Sequence, residues 1–296
     1  MTTKTLSVLS YNFGLLSYQL AGLKIWEPAP HVEERYDGVA EALEEIDPDV
    51  VLGQEIFRAK HCHGLEARRA GRYDISRYDG RHCLQLNSGL IVLSKEPIMA
   101  SRFFPFRDGP LDERFFFRKG ALAVLIDSKE FGRIGLVNFH ATVGGLFRHS
   151  GAKAAERYRA RQIEQVVTIA ARLSISADCV LVGGDLNAGP QTSPRNYWQF
   201  WDHGFIDTFN EVEHGDEPRI TWDPNNSLNV RGPHRECPPQ RCDHVFLHAS
   251  SRRAYRIIES KVVLNEECVA LPNRKWVTVS DHYGLLTKLQ RVTGPA

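Results

Sequence analysis

The stretch Cys179-Val180-Leu181-Val182-Gly183-Gly184-Asp185-Leu186-Asn187 decides the fold. Its apolar run carries no polar break, as in a strand buried on both faces. Asp185 and Asn187 stand just past that run. Working outward, the same grammar recurs along the chain. Leu6-Ser7-Val8-Leu9-Ser10-Tyr11 alternates and ends at Asn12, and Asp49-Val50-Val51-Leu52-Gly53-Gln54 ends at Glu55. Ile134-Gly135-Leu136-Val137-Asn138-Phe139 ends at His140. Asp243 precedes Val245-Phe246-Leu247, and Asp281-His282 precede Gly284-Leu285-Leu286. Gly89–Ser94 and Ala121–Ile126 read as two further strands.

Between the strands lie helical patterns. Tyr36, Val39, Ala40, Leu43 and Ile46 recur at helical spacing until Asp47-Pro48 stops them. Ala154–Leu173 is the longest helix expected, with Tyr158, Ile163, Val166, Val167 and Ala170 as its apolar face. The chain is therefore expected to be α/β. One polar residue at a strand end is usually a cap or turn residue. A whole series of carboxylates, amides and imidazoles at that register points to a site at one rim of a sheet. Such a cluster suits a hard divalent cation such as Mg²⁺.

Composition bounds the rest. Lys plus Arg is 37 and Asp plus Glu is 36, so the net charge is 37 − 36 = +1 over 296 residues. The length suits two domains or one large one, and the motif series spans nearly all of it, which favours a single catalytic domain over 1–296. With 42% hydrophobic and 25% charged residues, disorder and low complexity are excluded. The balanced charge gives no global reason to bind nucleic acid. No apolar run approaches the roughly 18 to 20 residues that span a bilayer. The stretch Leu6–Leu16 is broken by Ser7, Ser10 and Asn12. No signal peptide or transmembrane segment is expected in this chain, which would be cytoplasmic or a mature secreted form. Six Cys make no disulfide framework, and Cys62, Cys83, Cys179 and Cys268 read as free thiols. Cys237 and Cys242 suit a local disulfide or two free thiols better than a structural zinc site. His61-Cys62-His63 and His82-Cys83 are a weaker metal pattern still.

The ordered set Ser10-Tyr11-Asn12, Gln54-Glu55, Ser88–Ser94, Gly184-Asp185-Leu186-Asn187, Asp243-His244-Val245-Phe246 and Ser280-Asp281-His282 resembles the endonuclease/exonuclease/phosphatase superfamily. The resemblance implies a four-layer sandwich of two packed, mainly antiparallel β-sheets flanked by helices. It implies a divalent-metal-dependent phosphodiester hydrolase using Mg²⁺, with Mn²⁺ or another divalent cation as a substitute. Glu55, Asn12 and Asp281 would serve the metal. His282 would be the general base or hold the phosphate, with Asp243 fixing its tautomer. Asp185 would position the water, while Asn187 and His140 would bind the phosphate.

Within the superfamily, Ser88–Ile98, Phe115–Leu122 and Thr221–Leu228 are similar to neutral and bacterial sphingomyelinases. That implies a phospholipid substrate, peripheral membrane contact, Lys119 as a phosphate partner and a monomer. The plain reading of Lys119 is a solvated strand-edge lysine, and of the six Phe between Phe103 and Phe117, packing beneath a loop. Only Leu271, Pro272 and Trp276 stand where bacterial sphingomyelinases carry an aromatic hairpin before Ser280. The rival substrate is nucleic acid, for which Arg148, Lys153, Arg157, Arg159 and Arg161 would follow the phosphate backbone. An inositol-phosphate phosphatase lacks its expected basic substrate loop. The reading from another class, an inactive metal-binding scaffold, is opposed by the complete set of acidic and imidazole residues.

Overall fold

The computed structural model describes residues 4–20, 23–78, 80, 85–145 and 151–292. Arg148, His82 and Cys83 lie outside these. The elements run β1 (Thr5–Asn12), β2 (Tyr18–Leu20), β3 (Leu23–Trp26), α1 (Val32–Ile46), β4 (Val50–Gln54), α2 (Ala59–Arg69), β5 (Asp74–Arg77), β6 (Ile91–Ser94), β7 (Ile98–Pro105), α3 (Leu111–Phe116), β8 (Gly120–Ser128) and β9 (Gly132–His140). They continue as α4 (Ala152–Leu173), β10 (Cys179–Asp185), α5 (Pro194–Asp202), β11 (Phe205–Asp207), β12 (Asp243–His248), β13 (Tyr255–Val263), β14 (Glu267–Ala270), β15 (Trp276–Thr278) and β16 (Gly284–Arg291).

Two six-stranded sheets result, in the orders β13-β16-β1-β4-β6-β5 and β11-β12-β10-β9-β8-β7. Each holds one parallel pair, β1 with β4 and β10 with β9, and its other neighbours are antiparallel. Side chains alternate between sheet faces with period two. Leu6 and Val8 of β1, Val50 and Leu52 of β4, Leu136 of β9, Leu181 of β10 and Val245 of β12 fill the space between the sheets. Leu9, Tyr11 and Val51 face the other way and pack with Val39 and Leu43 of α1. Val137, Phe139, Val180 and Val182 pack with Ile163, Val166 and Ala170 of α4 and Phe200 of α5. The four layers are thus helix, sheet, sheet and helix, as expected.

The parity of the inner face sets where polar groups can converge. Continuing it along each strand reaches Asn12, Gln54, His140, Asp185 and Asp243. These polar side chains extend the inner row to the end where the apolar filling stops. Gln54 and Asn138 close that filling. Gln54 Nε2 donates to Asn138 Oδ1 (2.8 Å), and Asn138 Nδ2 donates to the carbonyls of Gly53 and Ile91 (2.8 Å each). Both amides are fully buried and tie one sheet to the other.

Candidate active site

β1 and β4 run side by side and in parallel, with Asn12 opposite Gln54. β9 and β10 do the same, with His140 opposite Asp185, and β12 brings Asp243 opposite Asp185. All these ends lie at one edge of the sandwich. Glu55 follows β4 with φ 59°, and Asn187 follows β10 with φ 51°. Left-handed backbone is uncommon outside glycine and collects at functional turns. It tips both side chains back over the strand ends.

Asn12 is the hub. Its Nδ2 lies 3.4 Å from Glu55 Oε1 and 3.1 Å from Asp185 Oδ2, and its Oδ1 accepts from Gly14 N (3.0 Å). In this orientation the amide spaces two carboxylates and presents its N–H groups to them. Asp281 approaches from the other side: a methyl built on Gly14 would fall 2.0 Å from Asp281 Oδ1. Ser280 Oγ donates to the Asn12 carbonyl (2.7 Å) and fixes that approach. Burial, and then the charge of Asp281, pushes the Glu55 carboxyl up to about 7. Burial and then Asp243 push Asp185 up to about 6. Carboxyl groups crowded out of water in this way are frequent at working sites.

His282 Nδ1 meets Asp243 Oδ2 at 2.9 Å, and its Nε2 lies 3.9 Å from Asp185 Oδ2. Burial lowers its pKa, but Asp243, Cys242 and Asp185 outweigh this and hold it well above the usual histidine range. Its proton affinity is therefore high. His140 is the opposite case. Burial and then Lys119 hold it well below the usual range, and its Nε2 lies 3.5 Å from Asp185 Oδ2. Lys119 is no solvated edge lysine. It is largely buried, lies 3.2 Å from His140 Nε2, donates to the Ala141 carbonyl (2.8 Å) and pairs with Glu113 Oε2 (3.5 Å). Asn187 Nδ2 donates to the same Ala141 carbonyl (3.1 Å), and its backbone N–H donates to Asp185 Oδ1 (2.7 Å).

The structure therefore brings together all nine residues picked from the sequence: Asn12, Glu55, Lys119, His140, Asp185, Asn187, Asp243, Asp281 and His282. Three supporting residues escape a reading of the sequence. Arg35 is fully buried and donates to the carbonyls of Pro30, Phe13, Val279, Gly14 and Ala29, lashing the segment after β1 to the one before Asp281. Glu113 accepts from Thr142 Oγ1 and from the N–H groups of Gly144 and Gly145, which orders the loop after His140. Arg241 forms a buried pair with Asp207 at 2.7 Å and sits beside His244. Their signals are weak in sequence, since each acts on backbone atoms or on a residue far along the chain.

Cys237 and Cys242 are both free; Cys242 is buried with Sγ 3.7 Å from His282 Nδ1. Arg159 is buried against Asn196 and the Thr142 carbonyl and is no open phosphate contact, whereas Arg161 is exposed and pairs with Asp108. A short hairpin, β14–β15, does precede Ser280; its turn is polar and its exposed aromatic is Trp276. Among the Phe cluster, Phe103, Phe104, Phe106 and Phe117 pack inward, while Phe115 is exposed. Among the described residues no helix is long and apolar enough to cross a membrane.

Solved structures share this fold. Beta toxin from Staphylococcus aureus superposes with a TM-score of 0.78 at 20% identity, over 95% of this chain and 99% of that one. A second beta toxin structure carries bound magnesium ions. Sphingomyelinase C from Streptomyces griseocarneus gives 0.74 at 25% identity, over 97% and 99%. D. rerio TDP2 complexed with a single-strand DNA product gives 0.67 at 18% identity, over 97% and 99%. No curated protein sequence is significantly similar to the chain. The model of the Endonuclease/Exonuclease/phosphatase family matches residues 22–282, and with so much of its length matched this chain belongs to that family of phosphoester hydrolases.

Proposed function

We propose that residues 1–296 form one catalytic unit, a monomeric divalent-metal-dependent phosphodiesterase that hydrolyses phospholipid in the manner of a sphingomyelinase. The observation that carries this is the convergence of two buried and two half-buried carboxylates, Asn12, Lys119 and two histidines on one strand-end edge. The donor set fits a hard cation. Glu55 is a half-buried oxygen donor whose hydrogen-bond partner is one amide at 3.4 Å, and Asp281 lies close enough to raise its pKa. Glu55 and Asp281, with Asn12 beside them, would hold Mg²⁺ or Mn²⁺. Bound there, such an ion polarises a phosphoryl oxygen and offsets its charge.

The remaining roles rest on the protein's own groups. His282 accepts a proton from the attacking water at Nε2, while Asp243 holds Nδ1 and the ring orientation. The 3.9 Å between His282 Nε2 and Asp185 Oδ2 leaves room for that water to touch both. The water oxygen bonds to phosphorus and the bond to the leaving oxygen breaks. Asn187 and His140 contact the phosphate, and Lys119 holds His140 in place and adds positive charge. A cavity of about 200 Å³ lined by Gln85, Phe106, Glu113, Phe117, Arg118 and Lys119 adjoins this cluster.

Phospholipid is favoured by the likeness to sphingomyelinase C and by an apolar rim. Leu111 and Phe115 of α3 are exposed, as are Leu23 and Ile25 of the β2–β3 hairpin, which packs on Phe116 and Phe117 through Tyr18 and Trp26. Exposed apolar groups grouped beside a site suit a lipid surface. The likeness to TDP2 bound to DNA favours a nuclease as the second reading. Incubation with sphingomyelin, a lysophospholipid and plasmid DNA, each with Mg²⁺ or EDTA, separates the two. Sphingomyelin cleavage that stops in EDTA is expected; nicked plasmid with intact lipid would overturn the lipid reading.

A further inference from the structure

Cys242, Asp243 and His282 form a second ligand set, on the opposite ring nitrogen of His282 from Asp185. Cys242 Sγ lies 3.5 Å from Asp243 Oδ2 and 3.7 Å from His282 Nδ1, and Nδ1 lies 2.9 Å from Oδ2. All three residues are buried, and their ligand atoms fall within 4.8 Å of one another. Zinc bonds sulfur at about 2.3 Å and nitrogen or oxygen at about 2.0–2.2 Å, so one face of its tetrahedron has edges of roughly 3.3–3.6 Å. The sulfur–oxygen edge of 3.5 Å matches this as it stands, and the sulfur–nitrogen edge of 3.7 Å is slightly long. The nitrogen–oxygen edge is a hydrogen bond that opens by a few tenths of an ångström when the ion replaces its proton. Asp243 Oδ1 is buried with no hydrogen-bond partner among the described residues, so that carboxylate has spare lone pairs.

We propose that Cys242, Asp243 and His282 bind Zn²⁺ as an inhibitory ion, separate from the divalent ion held at Glu55. Thiolate and imidazole favour zinc, whereas Mg²⁺ prefers the all-oxygen donors around Glu55. On binding, Sγ–H and Nδ1–H each lose a proton to solvent, and Zn–S, Zn–N and Zn–O bonds form. The ion takes the Nδ1 and the Asp243 oxygen that tune His282, so hydrolysis stops while Mg²⁺ stays in place. The inhibition rests on the functional reading above; the binding does not.

The test uses the full chain stripped with EDTA and returned to saturating Mg²⁺. Calorimetry with Zn²⁺ is expected to give one equivalent bound, and Co²⁺ as a spectroscopic probe is expected to give a thiolate-to-cobalt charge-transfer band. Cys242→Ala should abolish the band and weaken Zn²⁺ by at least the roughly 10- to 100-fold that loss of an outer partner costs. Cys242→Ser keeps the side-chain size and should do the same. In both, Zn²⁺ should no longer inhibit, measured against each variant's own Mg²⁺-supported rate. No band in the wild type, or a band that persists in both variants, overturns the site. A band lost with Cys242 in a protein that cleaves no phosphodiester would uphold the site and sink the functional reading. Robust hydrolysis that ignores Zn²⁺, with no band, would do the reverse.

Discussion

The two sheets share one pattern of strand directions, with a parallel pair flanked by antiparallel neighbours, yet they load their ends differently. The first sheet and the segment leading into β16 present Asn12, Glu55, Asp281 and His282. The second presents Lys119, His140, Asp185, Asn187 and Asp243. Their supports differ as well. Arg35 braces the first through carbonyl oxygens, whereas Arg241 braces the second through the carboxylate of Asp207. One backbone plan thus carries a half proposed to hold the metal and the base and a half proposed to position the water and the phosphate, and the second rests on the buried Arg241–Asp207 pair.

The largest test of this division is loss of rate. Glu55→Ala and His282→Ala are each expected to lower kcat by about 10²–10⁴, the range of a positioned acid or base, with the circular dichroism spectrum unchanged. Near-normal turnover by either would refute the assignment of that residue. Next in size is stability. Asp207→Asn leaves Arg241 buried and unpaired and should cost about 3–5 kcal/mol in urea unfolding. Burial pushes Asp207 up, but Arg241 and His244 prevail and hold it below the usual carboxylate range. A carboxyl lowered in the folded state stabilises above its unfolded pKa of about 4 and loses that stabilisation as pH falls through its folded value. Wild type should therefore lose stability below about pH 4 more steeply than Asp207→Asn. Equal acid slopes would mean that this half has no special dependence on its ion pair.

How much of this is legible in the sequence depends on where each partner lies. Asp185 and Glu55 can be read because each ends an apolar run, and a strand buried on both faces announces itself. Lys119 can be read only through resemblance, since nothing local distinguishes it from an edge lysine. Arg35, Glu113 and Asn138 cannot be read, because most of their partners are backbone groups, which no side-chain pattern announces. Helix α5 is easily overlooked although Pro194 stands at its start, a recognised opening signal. The hairpin before Ser280 lacks the aromatics that would announce it, while its pairing depends on backbone hydrogen bonds.

Two smaller effects sharpen the comparison. Asn138→Leu removes one of the two partners of Gln54 Nε2 and strands two carbonyls, so a loss of about 1–3 kcal/mol is expected in thermal or urea unfolding. Adding Gln54→Leu should return part of it, whereas simple additivity would show that the amides are not coupled. Last, Asn187→Ala should raise KM by a factor of roughly two to ten, the worth of one hydrogen bond, and leave the Mg²⁺ concentration for half-activation unchanged. Glu55→Gln should shift that Mg²⁺ midpoint instead. A metal shift in Asn187→Ala would erase the proposed division.

The Gln54–Asn138 contact has a mechanical meaning. Two apolar sheet faces resist separation strongly but resist sliding weakly, because burial is nearly indifferent to lateral offset. A slip of one residue, about 3.4 Å along a strand, would exceed the spacing between most groups at the strand ends. The amide pair acts as a dowel: sliding breaks three hydrogen bonds between two carboxamides and two backbone carbonyls in a dry interior. The halves are thereby held in phase, and a sequence transplanted between related sandwiches would need this pin as much as it needs the reactive residues themselves.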